Sequence, residues 1–200
     1  MEKFFTSKNI AKIGIFSALA TILYFVNFSL PIFPSFLKLH FSDLPALICG
    51  FALGPLAGAL TVLIKILIKL PFTETLCVGE IADLITGLAF VLPASMVYSK
   101  NKEKGSAILG LFLGTLCSVG TSLLANRFVI IPFYLGAMNL TLDTLAKMCS
   151  PVLPMINAQN FYRIYIFGAA LPFNALRCFA SAIFTFLVYK RISSLLKRWS

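Results

Sequence analysis

Six apolar runs, separated by short polar or proline-containing breaks, organise this chain. They cover 10–30, 44–53, 56–70, 79–98, 106–135 and 166–189. Four of them reach the roughly 20 residues that a helix needs to cross a bilayer. The runs 44–53 and 56–70 are shorter and meet at Gly54-Pro55, a turn signal. Two short apolar helices around a tight turn suit a hairpin buried against protein. The run 106–135 is longer than a bilayer requires, so it must tilt, kink or protrude, with Gly120 and Pro132 as candidate kink or end points.

The breaks have characters of their own. Residues 31–43 are rich in Pro and Phe, and the prolines disfavour helix there. Ser42 or Asp43 can cap the helix that follows. Residues 71–78 read as a loop and 99–105 as a short basic loop. Residues 136–165 form a long mixed connection, in which 141–148 predicts a short interfacial helix ended by Pro151 and Pro154. No internal repeat is visible.

Composition narrows this pattern to one class. Hydrophobic residues make up 59% and charged residues 12%, against about 25% charged in ordinary soluble domains. Mean hydropathy is +0.93. The expected fold is an all-α membrane protein with six transmembrane helices, one integral membrane domain over 1–200, with no room for a soluble catalytic module. The five cysteines have no C-x-x-C spacing and read as packing residues.

The net charge of +10 invites a nucleic-acid reading, but its placement argues against one. Lys3, Lys8 and Lys12 precede the first run, Lys100, Lys102 and Lys104 fill one loop, and Lys190, Arg191, Lys197 and Arg198 close the chain. Basic clusters alternating with apolar spans mark cytoplasmic loops, which puts both termini inside.

Polar residues inside the apolar runs carry the candidate chemistry. Glu80 and Asp83 share a helix face at i, i+3, as do Asn174 and Arg177 after Pro172; Asn126 and Arg127 stand near the end of the fifth run. At 1.5 Å per residue, Arg177 lies about 20 Å from Lys190, and the other groups fall at similar or greater heights toward the outer face. Ionisable groups at such depth face a protein interior or a cavity, and their gathering predicts an outward-facing small-molecule pocket. The carboxylates serve pocket lining and ion pairing with Arg127, Arg177 or Lys65; Arg177 either meets a ligand or pairs with Asp83. Lys65, nearer mid-membrane, is expected to bond a carboxylate or carbonyl. Phe28, Phe33, Phe36, Phe41, Phe128 and Tyr134 are either interfacial belt residues or walls for a flat ring. His40 is the only histidine, and no nucleophile or metal cluster supports an enzyme. Gly14 and Ala18 make a small-x-x-x-small step on the first helix.

Five strings resemble those of a known family. They are 36–47 (Phe-Leu-Lys-Leu-His-Phe-Ser-Asp-Leu-Pro-Ala-Leu), 50–58 (Gly-Phe-Ala-Leu-Gly-Pro-Leu-Ala-Gly), 78–83 (Val-Gly-Glu-Ile-Ala-Asp), 125–134 (Ala-Asn-Arg-Phe-Val-Ile-Ile-Pro-Phe-Tyr) and 171–177 (Leu-Pro-Phe-Asn-Ala-Leu-Arg). In order and over nearly the whole chain they resemble the S components of energy-coupling factor vitamin importers, most closely the riboflavin-specific type. The resemblance implies a vitamin-binding subunit in the bacterial cell membrane with no enzymatic activity and no cofactor. It implies a transmembrane coupling subunit and two cytoplasmic ATPases as partners. It also implies that the loop after the first helix covers the ligand. That assigns Leu39, His40, Phe41 and Asp43 to the ligand site, and the resemblance adds Asn126, Asn174 and Arg177; Glu80 and Asp83 join them as the pocket-lining carboxylates. Gly14 and Ala18 take the place of a docking face for the coupling subunit. Arg177 stands where such riboflavin binders carry Lys, and His40 where they often carry Asp; Arg and Lys are not equivalent donors. Another vitamin, such as pantothenate or folate, is the alternative ligand. A self-sufficient secondary transporter is the alternative class, but it would be expected to show inverted repeats.

Overall fold

The computed structural model describes residues 6–73 and 75–199. Lys3 and the side chains of Lys190, Lys197 and Arg198, which entered the charge argument, lie outside the described residues. Five helices are long and apolar enough to cross a membrane: Ser7–Phe25, Pro55–Phe72, Val78–Lys100, Lys104–Ala137 and Phe161–Tyr189. Asp43–Leu53 is a shorter apolar helix. The architecture is that of a helical membrane protein.

Helix α1 (Ser7–Phe25) starts where the Thr6 hydroxyl accepts the Asn9 N–H at 3.3 Å. It stops earlier than the apolar run 10–30 suggests. The Asn27 amide donates to the carbonyls of Tyr24 and Phe25 at 3.1 and 3.4 Å, satisfying the helix end. The chain then forms a small antiparallel ladder, β1 (Phe28–Ser29) against β2 (Lys38–Leu39), so 31–37 becomes the tip of a hairpin.

Helix α2 (Asp43–Leu53) has nine buried residues out of eleven, as a hairpin buried against protein requires. Gly54, at φ 101°, turns the chain into α3 (Pro55–Lys69), with Pro55 at its start. The two helices touch backbone to backbone: a Cβ on Gly58 would lie 3.0 Å from Gly50 Cα and 2.6 Å from a Val91 methyl. Helix α4 (Val78–Lys100) and helix α5 (Lys104–Ala125) meet in the same way. A Cβ on Gly110 would come 2.5 Å from the Ala94 carbonyl oxygen, and one on Gly114 2.5 Å from that of Phe90. Phe51, Tyr98 and Tyr189 close this half of the bundle, with Phe51 and Tyr98 stacked at 4.5 Å.

The long fifth helix does not end at Gly120, which lies within α5. Its irregularity is a π turn at Asn126–Ile130, leading into α6 (Ile131–Ala137). The last helix begins at Phe161 rather than 166: α8 (Phe161–Tyr165) passes through a second π turn, Ile166–Ala170, into α9 (Leu171–Trp199). Each π turn is followed at the same offset by a proline, Pro132 and Pro172. A proline lacks the N–H for the i−4 carbonyl and its ring collides with that carbonyl; widening the turn by one residue relieves both. Between α6 and α8, helix α7 (Leu142–Cys149) forms where the short interfacial helix was expected, capped by the Thr141 hydroxyl.

Candidate functional site: a cavity beside a buried ionic ring

Six side chains from five segments close into a ring. Lys65 of α3 donates to Asp43 Oδ1 at 2.5 Å and to Ser42 Oγ at 2.6 Å. Ser42 Oγ lies 3.1 Å from His40 Nδ1. His40 Nε2 makes an oblique 2.8 Å contact with Asp83 Oδ2 of α4. Arg177 of α9 grips both carboxylates, Asp83 Oδ1 through Nη1 at 2.5 Å and Asp43 Oδ2 through Nη2 at 2.8 Å. All six residues are buried. Two cations and two carboxylates balance, which is the condition for holding charges out of water. Burial, opposed by Asp83, pushes the His40 imidazole below its ordinary value, so it stays neutral and the ring stays balanced. A neutral imidazole accepting from Ser42 and presenting its other N–H toward Asp83 fits this order.

Beside the ring is a cavity of about 390 Å³, within the usual size of a small-molecule site. One wall is aromatic: Phe36, Tyr134, Phe161, Tyr165 and Phe173. Phe161 and Tyr165 lie parallel at 5.3 Å, 8° apart, and Phe36 sits 6.0 Å from Tyr165. A second wall carries Asn126 and Asn174, each placed by a π turn. Each uses its amide nitrogen on its own helix, Asn126 toward Ser122 O and Asn174 toward Ala170 O, both at 2.8 Å. The oxygens are thereby turned outward. That of Asn126 accepts the Tyr165 hydroxyl at 3.3 Å, and that of Asn174 has no protein donor among the described residues. The Arg177 Nε–H is likewise buried without a partner. Lys69 and Glu80 are also in the polar lining; Glu80 accepts the Thr73 hydroxyl at 2.8 Å.

Of the ligand-site residues expected from sequence, His40, Glu80, Asp83, Asn126, Asn174 and Arg177 line this cavity. Leu39, Phe41 and Asp43 do not. Leu39 packs under the hairpin with Phe33 and Phe173, Phe41 turns onto Phe184 at 5.1 Å, and Asp43 stands behind the wall, fully engaged by Lys65 and Arg177. Lys65 does bond a carboxylate, as expected. Arg127 balances neither Glu80 nor Asp83; its guanidinium lies 3.9 Å above the Tyr162 ring. Of the six aromatic residues singled out, Phe36 and Tyr134 line the cavity, while Phe28 and Phe128 point outward. Sequence reasoning missed Tyr24, Phe161, Tyr165 and Phe173. The pair Phe161 and Tyr165, at i, i+4 just before the last run, was the available signal. Gly14 and Ala18 are exposed on α1, and a Cβ at Gly14 would meet nothing within 4 Å.

A cavity among apolar helices, with polar groups converging on it, has the form expected of a membrane-embedded small-molecule site. The family described as "ECF transporter, substrate-specific component" matches residues 8–189, and the chain belongs to it. The chain is 30% identical to the riboflavin transporter RibU of Staphylococcus aureus (strain TCH60), over 96% of this chain and 94% of that one. It is 29% identical to the riboflavin transporter FmnP of Bacillus subtilis (strain 168), over 96% and 93%. A solved structure described as the S component of a bacterial ECF transporter superposes with a TM-score of 0.74 at 29% identity, covering 95% of this chain and 98% of that one.

Proposed function

We propose that this chain is the riboflavin-binding component of an ATP-driven importer in the bacterial cell membrane. The observation that carries the reading is the pairing of an aromatic wall with two outward-turned amide oxygens in one cavity. The isoalloxazine ring of riboflavin is flat, and one edge alternates carbonyl and N–H groups. The aromatic wall offers it faces and edges, and Asn174 Oδ1 offers an acceptor for its N–H. The ribityl hydroxyls then meet the polar lining at Glu80 and Lys69. Riboflavin is cargo here, not a cofactor, and no bond in it need break.

In this reading the short helix α2 counts as a sixth span, both termini are cytoplasmic and the cavity opens outward. The exposed α1 face at Gly14 and Ala18 meets the transmembrane coupling subunit, which links the chain to two ATPases. Transport energy then comes from those partners.

The test is titration of the purified protein with riboflavin, followed by flavin fluorescence, with pantothenate and folate in parallel. Saturable quenching by riboflavin alone is the expected result. No quenching, with pantothenate or folate retained on the purified protein by mass spectrometry, would assign the cavity to another vitamin.

A further inference from the structure

The ionic ring has one charged member that never meets the cavity through its own atoms or its immediate charge partner alone. Lys65 is fully buried behind the wall, and its Nζ reaches Asp43 and Ser42, neither of which lines the cavity. One step further on, both branches do reach it: Asp43 holds Arg177, and Ser42 meets His40. We infer that Lys65 is a positioning residue for ligand binding. It sets the charge balance of the ring, and through Asp43 and Ser42 it holds Arg177 and His40 in the cavity wall.

Charge counting gives this role a signature. With His40 neutral, Lys65 and Arg177 cancel Asp43 and Asp83. Lys65→Met leaves one guanidinium between two buried carboxylates and a net charge of −1. Arg177 is then drawn toward the unshared oxygen of Asp43, away from its place in the wall. His40 is the member that can restore neutrality by taking a proton near physiological pH. The charged and titratable groups surrounding it are Tyr24 from α1, whose ring lies 4.5 Å away, Asp43 from α2, Lys65 and Lys69 from α3, Glu80 and Asp83 from α4, and Arg177 from α9. Among them Lys65→Met removes a cation and adds nothing, so the imidazolium becomes less disfavoured, while burial and Arg177 still oppose it.

The pH response therefore weakens. In the wild type the folded state disfavours the imidazolium, so stability is present above about pH 6.5 and lost as pH falls through it. In Lys65→Met the imidazolium meets one cation fewer, and less stability is lost as pH falls. A second variant, Lys65→Met with Asp43→Asn, is neutral again and regains the wild-type slope. A lysine that merely filled space would shift all three curves without changing their slopes.

The experiment measures the thermal midpoint of ligand-free protein in detergent from about pH 8 to about pH 5.5, for wild type, Lys65→Met and the double variant. Riboflavin titrations at the two ends of the range accompany it. A shallower slope in the single variant and a restored slope in the double are expected. With them, riboflavin affinity should be roughly three- to thirtyfold weaker in Lys65→Met at the alkaline end, and partly recovered at the acid end. Parallel slopes in all three proteins overturn the inference, and so does a double variant that binds no better than the single. Only the titration rests on the riboflavin reading. If the wild type ignores riboflavin, that reading fails, while the midpoints still decide whether Lys65 sets the charge balance of the ring.

Discussion

The two ends of this bundle are built from equally apolar helices yet solve opposite problems. At the end near the α4–α5 turn, glycine and alanine let backbones touch. Gly110 and Gly114 lie against carbonyls of α4, Gly50 against Gly58, and the Phe51–Tyr98–Tyr189 cluster fills what remains. At the other end the same helices α4, α5 and α9 stand around a cavity of about 390 Å³. Two proline-induced π turns widen them, and a neutral ionic ring ties them together. Close packing is the default of a protein interior. The cavity persists because rigid polar bonds, not flexible side chains, hold its wall.

Substitutions can break each half in its own way. Arg177→Ala should have the largest effect. It leaves Asp43 with one partner and Asp83 with only the oblique His40 contact, and stranding buried carboxylates should cost about 3–5 kcal/mol of stability. Denaturant unfolding in detergent would read this, and Arg177→Lys should lose less because the charge stays. In the packed half, Gly110→Val has no room before the Ala94 carbonyl and should cost about 1–3 kcal/mol, read by the same unfolding assay. Pro172→Ala sharpens the contrast. With an N–H restored, the helix can close its π turn and swing Asn174 relative to the upstream segment. Riboflavin binding should weaken about tenfold, or about 1.4 kcal/mol, at unchanged or raised thermal stability. The smallest effect belongs to Gly14→Leu on the open face of α1. Stability should change by no more than about 0.5 kcal/mol and riboflavin titration should match the wild type, while uptake by cells falls. Equal loss of binding and uptake would mean that this face packs internally.

These two halves were unequally legible in the sequence. Apolar run lengths located the spans, Gly54-Pro55 the tight hairpin, and Thr141 with Pro151 and Pro154 the short helix. Lone polar residues in apolar runs marked Asp83, Asn126, Asn174 and Arg177, because lipid tolerates them so poorly. What they bond was not legible. That Arg177 spans two carboxylates depends on helices brought together from 134 residues apart in sequence. Pro132 and Pro172 signalled irregularity, but a kink and a π turn share that signal. The loop end 39–43 was legible only as a unit. Its inward and outward alternation, with His40 facing the cavity and Phe41 on Phe184, follows from the ladder register that hydropathy does not encode.

The amide wall carries the proposed recognition of riboflavin most directly. Asn126→Leu combined with Asn174→Leu keeps the volume and apolar character of two helices that already face apolar neighbours, and leaves the ionic ring untouched. The decisive measurement is a riboflavin fluorescence titration of this double variant beside the wild type, with thermal midpoints recorded on the same preparations. Saturable quenching by the wild type and at least a hundredfold loss in the double variant, about 2.7 kcal/mol, at a nearly unchanged midpoint, is the predicted result. Riboflavin binding of undiminished affinity in the double variant would contradict the account and place the ligand away from this wall.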